Sequence, residues 1–196
     1  MVALVLGVCA VGWTQRVRIT DEINYGRQQR SIALAISSSS PDKLREFLDQ
    51  SDAELRRIAA VHLAQINDAY GRAALVASLY PQTVFSTGTG TFQAQGKPGD
   101  MLKAGQLIAT LNAQPLRSPI TGQLLRFYQP QPGGYQLGHR IAEIVPAEAG
   151  VKEAIEAIGL VGKQSDAEEL ESLARAFPQY SAETGAACRK IRARRQ

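Results

Sequence analysis

Few side chains in this 196-residue chain are spaced for chemistry. His62 and His139 are solitary, with no Cys, His or Asp at ligand spacing, whereas a zinc site needs three or four converging donors. Cys9 and Cys188 stand far apart and no CxxC occurs, so neither a disulfide framework nor a redox motif is encoded. Gly88-Thr89-Gly90, between Thr87 and Thr91, has the composition of a phosphate loop. A strand pattern comes after it instead of a helix, so the converging N–H groups that hold an anion are not expected. Asp100 beside Gly99 reads as a turn residue. Glu168, Glu169 and Glu171 read as a solvated helix face. There is no G-x-S-x-G, no Walker loop and no H-E-x-x-H. The expectation is therefore a non-enzyme with no catalytic, cofactor-binding or metal-binding residues and no small-molecule substrate.

The elements around these residues explain more. Hydrophobic residues make up 44 % of the chain, enough for a real core, and aromatics only 6 %, so that core must be built from Ala, Leu, Ile and Val. The net charge of +4 is uneven: Arg189, Lys190, Arg192, Arg194 and Arg195 crowd the C-terminus, and the remainder carries −1. Such a tail suits nucleic acid or anionic lipid. It lacks interleaved aromatics and any recognition motif, so nucleic acid is not expected as a partner. Cations at a helix C-terminus also complement the helix dipole, and a solvated helix end is the simpler reading.

Met1 to Trp13 carries no charge, and Arg16 and Arg18 come next. Thirteen residues fall short of the roughly 20 that span a bilayer as a helix, but they suffice for the apolar core of a signal sequence. Trp13 stands where an interfacial aromatic belongs. Leu6-Gly7-Val8-Cys9 approaches a lipobox but has Val8 where a small residue is needed. Residues 1–20 are read as a membrane anchor or signal-anchor. Arg16 and Arg18 favour a cytoplasmic location for the residues downstream of them.

Residues 21–36 read as a helix ended by Ser37-Ser38-Ser39-Ser40. Ser40 and Pro41 open the next, with Leu44, Phe47 and Leu48 as its stripe. Ser51 and Glu54 form a capping-box pattern ahead of Leu55, Ile58, Ala59, Val61, Leu63 and Ile66. A further helix over 68–79 turns Ala73, Leu75, Val76 and Leu79 inward. Residues 150–162 are helical again, Ser165 and Glu168 repeat the capping box, Pro178 stops that helix and Ser181 opens a last one. Ala59, Leu63, Ala64, Ile66 and Leu75 match Ala154, Ile158, Gly159, Val161 and Leu170 at an offset of 95, and Ala154 and Ile158 match Ala187 and Ile191 at 33. A period of 30–45 residues marks stacked helix pairs, so 95 is one period plus an insert of about 62 residues. The strings A-A-V-H-L-A-Q-I-N-D and E-A-I-E-A-I-G-L-V-G-K resemble the second helix of HEAT repeats. That resemblance implies protein-binding surfaces.

Between Pro81 and Pro146 Gly and Pro recur every few residues, as in a small all-β unit. Strands are expected at Val84–Ser86, Gly90–Ala94, Leu107–Leu111, Gln123–Tyr128 and Arg140–Val145. This unit repeats internally: Gly105, Ile108, Ala109 and Leu111 answer Gly138, Ile141, Ala142 and Ile144 at an offset of 33. Two such halves related by a pseudo-twofold make a flattened barrel.

Gly99, Asp100, Gly105, Gln106, Leu107, Ala109 and Leu111, then Ser118, Pro119, Gly122, Leu124, Leu137, Gly138, Ile141, Ala142 and Ile144, resemble the biotinyl/lipoyl barrel-sandwich hybrid family. The resemblance implies a carrier lysine on the hairpin between the halves. The corresponding stretch, Asn112-Ala113-Gln114-Pro115-Leu116-Arg117, has none, and Lys97 and Lys103 come too early. No cofactor is therefore expected. Membrane-fusion (periplasmic adaptor) proteins use the same barrel without a cofactor, which points to a periplasmic location.

The expected fold is α+β and multi-domain. Residues 1–20 form the anchor, 21–80 HEAT-like helices, 81–147 the lipoyl-like β-domain, and 148–196 further HEAT-like helices with a basic tail. The expected function is a bacterial, inner-membrane-tethered scaffold or adaptor subunit that binds protein partners in a larger, transport-related complex. The alternative is a cofactor-free accessory subunit, a degenerate carrier, of a cytoplasmic carboxylase- or dehydrogenase-like enzyme. Expected partner contacts are the hairpin tip at Pro115, Leu116 and Arg117, and Tyr128 and Tyr135 of the loop Y-Q-P-Q-P-G-G-Y.

Overall fold

Where a side chain fixes a helix start, a carboxylate, Asp52, Asp68 or Asp166, reaches an unsatisfied N–H group. A computed structural model describes residues 26–28, 30–38, 40–130 and 134–194, so the anchor assigned to 1–20 lies outside the described residues. The described part of the first helix, α1, comprises residues 26–28 and 30–37. Helix α2 (Pro41–Glu46) starts where expected with Pro41 in its first turn, though the Ser40 side chain makes no capping bond. Helix α3 (Ala53–Gln65) is capped by Asp52 and not by Ser51: its Oδ1 accepts from the N–H groups of Glu54 and Leu55 at 2.9 and 3.0 Å. Helix α4 (Arg72–Ala77) continues from a 3-10 turn. After the strands come α5 (Glu148–Val161), α6 (Gln164–Ala176) and α7 (Ser181–Ala193). At α6 the expected Ser165/Glu168 box gives way to Asp166. Its Oδ2 accepts from Lys163 N at 2.7 Å, while Oδ1 meets the Arg72 guanidinium at 2.6 Å and ties α6 to α4.

The repeat seen in sequence becomes a row of helices. Helix α3 packs on α5, and α5 on α7. Ala59, Ala154 and Ala187 are buried at equivalent points, as are Leu63, Ile158 and Ile191. Gly159 lies so close to α7 that a Cβ there would sit 3.1 Å from the Ala187 backbone, so small residues set the spacing. Two expected inward residues are exposed. Ile66 lies just past the last turn of α3, where Asn67 takes φ 62° and swings the chain away. Ala73 faces solvent because Leu75 and the half-buried Ala74 take the inner side of α4. The basic tail is partly structural. Arg194 donates to the carbonyls of Gly159 at 2.7 Å and Gly162 at 2.9 Å, capping the C-terminus of α5, and Arg192 pairs with Glu171.

The strands lie between α4 and α5: β1 (Gln82–Phe85), β2 (Phe92–Ala94), β3 (Met101–Leu102), β4 (Leu107–Leu111), β5 (Gln114–Arg117), β6 (Gly122–Phe127) and β7 (Arg140–Pro146). They form a four-stranded sheet, β1-β7-β6-β3, and a three-stranded sheet, β2-β4-β5. The chain is thus α+β with two small sheets. Strands β3 and β5 are additions to the expected set, being too short and too rich in Pro and polar residues to show an apolar alternation.

The two sheets share one plan. Strand β1 meets β7 through Gln82–Ile144 and Val84–Ala142, and β5 meets β4 through Gln114–Leu111 and Leu116–Ala109. Each pair carries a one-residue bulge, at Ile141 and at Ile108, and both isoleucines are fully buried. Strand β3 pairs Leu102 with Gly122, and a single bridge pairs Tyr135 with Gly90 in the matching place. Gly105 and Gly138 turn the chain at φ 77° and 79°, a region open to glycine at little cost. Buried Ser118 and Ser86 sit beside those turns. Gly105 N donates to Ser118 O at 2.8 Å, and Gly138 N to Ser86 O at 2.9 Å. Each serine hydroxyl donates to the carbonyl two residues on, Ile120 O and Gly88 O. The core lies between the sheets and includes Leu102, Ile108, Leu111, Leu124, Ile141 and Ile144.

Candidate functional site

The β-unit is seated firmly on the helices. Glu54 N donates to Pro119 O at 3.1 Å, Ala147 N donates to Thr121 O at 3.0 Å, and Ala53 packs against the β-core. A cleft of about 500 Å³ opens along this seam, lined by Glu54, Arg57, Thr121, Lys152, Glu153 and Glu156 among others. Its cations are engaged. Arg57 bonds Glu54 at 2.9 Å on its own helix and Glu153 on the next; Lys152, at the equivalent place in α5, bonds Glu148 at 2.9 Å and Glu183 at 3.0 Å. Those carboxylates raise the Lys152 ammonium pKa above the lysine range. These ion pairs run within and between helices and not across to the strands, and they leave little unpaired cationic chemistry along the seam for a ligand.

The expected hairpin contacts need correction. Pro115, Leu116 and Arg117 are not a tip: they lie in β5, and Leu116 is a core residue. The tip is Asn112-Ala113, two residues with φ 47° and 62° joining β4 to β5. That left-handed pair matches the twist of the strands, which is why so short a loop suffices. Asn112 is not free to reach a partner: Oδ1 accepts from Thr91 N at 2.9 Å and Nδ2 donates to Thr89 O at 2.6 Å. These bonds also close the loop 87–91, whose phosphate-loop composition proves to be a strand approach. In a two-residue hairpin Leu111 and Gln114 exchange both bonds, so Pro115 turns its missing N–H outward. It blunts the exposed edge of the sheet.

Tyr135 is also corrected. Its ring is buried against Phe92, with centroids 5.2 Å apart, and Phe92 meets Phe127 edge-on at 5.3 Å. Only its hydroxyl is directed outward, donating to Tyr128 O; burial raises its pKa. The structure does bring Tyr128 to a surface site. Its N–H donates to Ile141 O at 2.8 Å and its hydroxyl to Glu143 Oε2 at 2.9 Å. Arg126 reaches the same carboxylate, Nη2 to Oε2, at 2.5 Å, and these two donors hold the Glu143 pKa below the usual carboxylate range. The guanidinium carbons of Arg126 and Arg140 lie 4.9 and 5.9 Å from the Tyr128 ring centroid, within cation–π range. Beside them is a hollow of about 270 Å³ lined by Tyr128, Gln129, Tyr135, His139 and Arg140. His139 is half-buried, and its Nδ1 accepts from Gln136 N at 3.3 Å.

Sequence reading selects Tyr128 but misses Arg126, His139, Arg140 and Glu143. A signal is present. The offset of 33 that aligns the two halves sets His139 and Arg140 opposite Gln106 and Leu107, so the divergence is visible there. Arg126 is hidden because a bulge at Leu125 breaks the register of β6 on β7. Asp100 behaves as expected, its Oδ2 accepting from Lys97 N at 2.8 Å across the turn. Among the described residues no cluster of three or more His, Cys, Asp or Glu is placed to hold a metal. No family model matches the chain, and no curated protein matches it.

Proposed function

We propose that this chain is a non-enzymatic, membrane-tethered scaffold or adaptor subunit: a lipoyl-like barrel-sandwich domain without a carrier lysine, mounted within HEAT-like helices. The observation that carries the reading is the hairpin Asn112-Ala113. In a carrier domain this turn presents the modified lysine to solvent. Here it offers no amine, and its asparagine is committed to Thr89 and Thr91. The matching plan of the two sheets supports the barrel assignment, and the repeated burial of Ala59, Ala154 and Ala187 supports the helical repeat. The tether rests on the uncharged run from Met1 to Trp13. Among the described residues no helix is long and apolar enough to cross a membrane.

Two measurements test this. Fractionation of cells expressing the full chain is expected to place it with membranes until detergent is added; full recovery in the soluble fraction removes the tether. Intact-mass spectrometry of the native protein is expected to show no lipoyl or biotinyl addition on any lysine. An added cofactor mass, on Lys97 or Lys103 for example, overturns the non-carrier reading.

A further inference from the structure

The two halves of the β-unit supply an internal control. Tyr128 N donates to Ile141 O at 2.8 Å, and Gln95 N to Ile108 O at 2.8 Å, so Tyr128 and Gln95 occupy equivalent places. In the same alignment Arg126 corresponds to Gln93 and Glu143 to Thr110, since Arg126 pairs with Glu143 as Gln93 pairs with Thr110. His139 corresponds to Gln106, and Arg140 to Leu107. The backbone is common to both halves, so the fold does not require Tyr, His or Arg at these positions. One half is uncharged there; the other sets Arg140, His139 and Tyr128 around a hollow and Arg126 over the Tyr128 ring.

The charge of that face is not balanced. Glu143 is already engaged by Arg126 and by the Tyr128 hydroxyl. Arg140 makes no ion pair among the described residues, and it borders the hollow. Tyr128 is fixed by its N–H, its carbonyl and its hydroxyl, so little ordering remains to be done on binding. An apolar side chain stands on the adjoining turn: Leu137, 73 % exposed, two residues before His139. A rigid tyrosine beside arginines has the composition of an interface centre.

We propose that this face docks an acidic segment of a partner protein, with a carboxylate seated in the hollow on Arg140 and apolar side chains resting on Tyr128 and Leu137. The proposal rests on the scaffold reading and names the chemistry of the partner. A planar guanidinium meets a carboxylate or a phosphate in bidentate fashion, and the exposed Leu137 on the adjoining turn favours the carboxylate of a peptide.

The test uses the purified full chain in detergent and a hexaglutamate peptide flanked by two leucines as probe. Expected are amide NMR shifts confined to Tyr128, Gln129, Leu137, His139 and Arg140, with binding weakened by added salt. The variant Tyr128→Gln/Arg140→Leu installs the residues of the other half, so the backbone tolerates it. It is expected to stay folded, with a melting temperature lowered by only a few degrees through the lost Tyr128–Glu143 bond, and to lose affinity at least about ten-fold. Unchanged peptide affinity in this variant, absence of binding, or shifts elsewhere overturn the proposal. So does inorganic phosphate that binds the face as tightly as the peptide, which would make it a general anion site. Affinity purification from native membranes separates the two readings. If the variant still recovers the wild-type partner set, the docking face falls and the scaffold stands. If no partner is recovered by either protein while the peptide still binds wild type, the scaffold falls and the face stands.

Discussion

Gly105 and Gly138 turn the chain at nearly the same φ, and Ile108 and Ile141 fill the same buried bulge. The next residue back is Leu107 in one half and Arg140 in the other, one before the bulge each time. Inside, the halves are held alike by buried aliphatic residues and by serine–carbonyl bonds. Outside, the positions equivalent to the Tyr128 face are uncharged in one half and gather arginines around a tyrosine in the other. Packing constrains the interior of both halves equally, because a close-packed core feels each methylene. The exterior is free of that constraint, so the backbone accepts a different set of side chains there. The ends of the halves differ as well. Where β4 turns into β5 through Asn112-Ala113, the equivalent end of β7 continues into α5 and that of β1 comes from α4. The turn of one half is the helical mount of the other.

The symmetry of the core can be broken most directly at the bulges. Ile108→Ala and Ile141→Ala are each expected to cost about 2–5 kcal/mol, and to cost the same within about 1 kcal/mol, in urea unfolding. A cost confined to one of the pair would show that the halves are not energetic equivalents. Gly90 and Gly122 come next. An added Cβ at Gly122 would meet the Val145 carbonyl oxygen at 2.1 Å, which is backbone and cannot give way. At Gly90 it would meet the Asn112 side chain at 2.0 Å. Gly122→Ala is expected to cost about 1–3 kcal/mol through overpacking. Gly90→Ala adds the strain of φ 145° but can displace Asn112, so it should also release Thr89 and Thr91, visible as faster amide exchange at Thr91.

Ala113 is a smaller lever. Its φ of 62° is unfavourable for any residue with a Cβ, so Ala113→Gly is expected to stabilise the protein by about 0.5–1 kcal/mol in thermal unfolding. No gain would mean that the hairpin's tie to Thr89 and Thr91 already offsets the strain. The last comparison is in pH. Glu143 titrates below the usual carboxylate range, held first by Arg126 and then by Tyr128, whereas its counterpart Thr110 cannot titrate. A depressed carboxylate lends stability that is present above its unfolded pKa and lost as pH falls through the folded one. NMR titration of Glu143 is expected to give a midpoint below that of an ordinary glutamate, and Arg126→Gln to raise it. A normal midpoint in the parent would separate Glu143 from Arg126.

What was legible in the sequence was what repeats. Apolar spacing located α3 to α7, and the offsets of 95 and 33 located equivalent core residues that are indeed buried together. Strands β4, β6 and β7 were visible because each alternates or runs apolar over five to seven residues. Caps were harder: the carboxylates of Asp52 and Asp166 outcompeted the nearby serines that the motif favoured, and only the local backbone decides which oxygen reaches the N–H.

Local composition therefore determined that this protein has buried faces, where they recur, and that its hairpin lacks a lysine. Tertiary structure decided which polar residues meet. Pro115, Leu116 and Arg117 read as a hairpin tip because the barrel-sandwich resemblance sets its hairpin over Asn112–Arg117, but pairing with β4 turned Leu116 into core and Pro115 into an edge guard. Arg126, Tyr128, Arg140 and Glu143 lie up to 17 positions apart and become neighbours only through the pairing of β6 with β7. A one-residue bulge in that pairing sets which of them face one another, because in a strand each residue of slip exchanges the two faces.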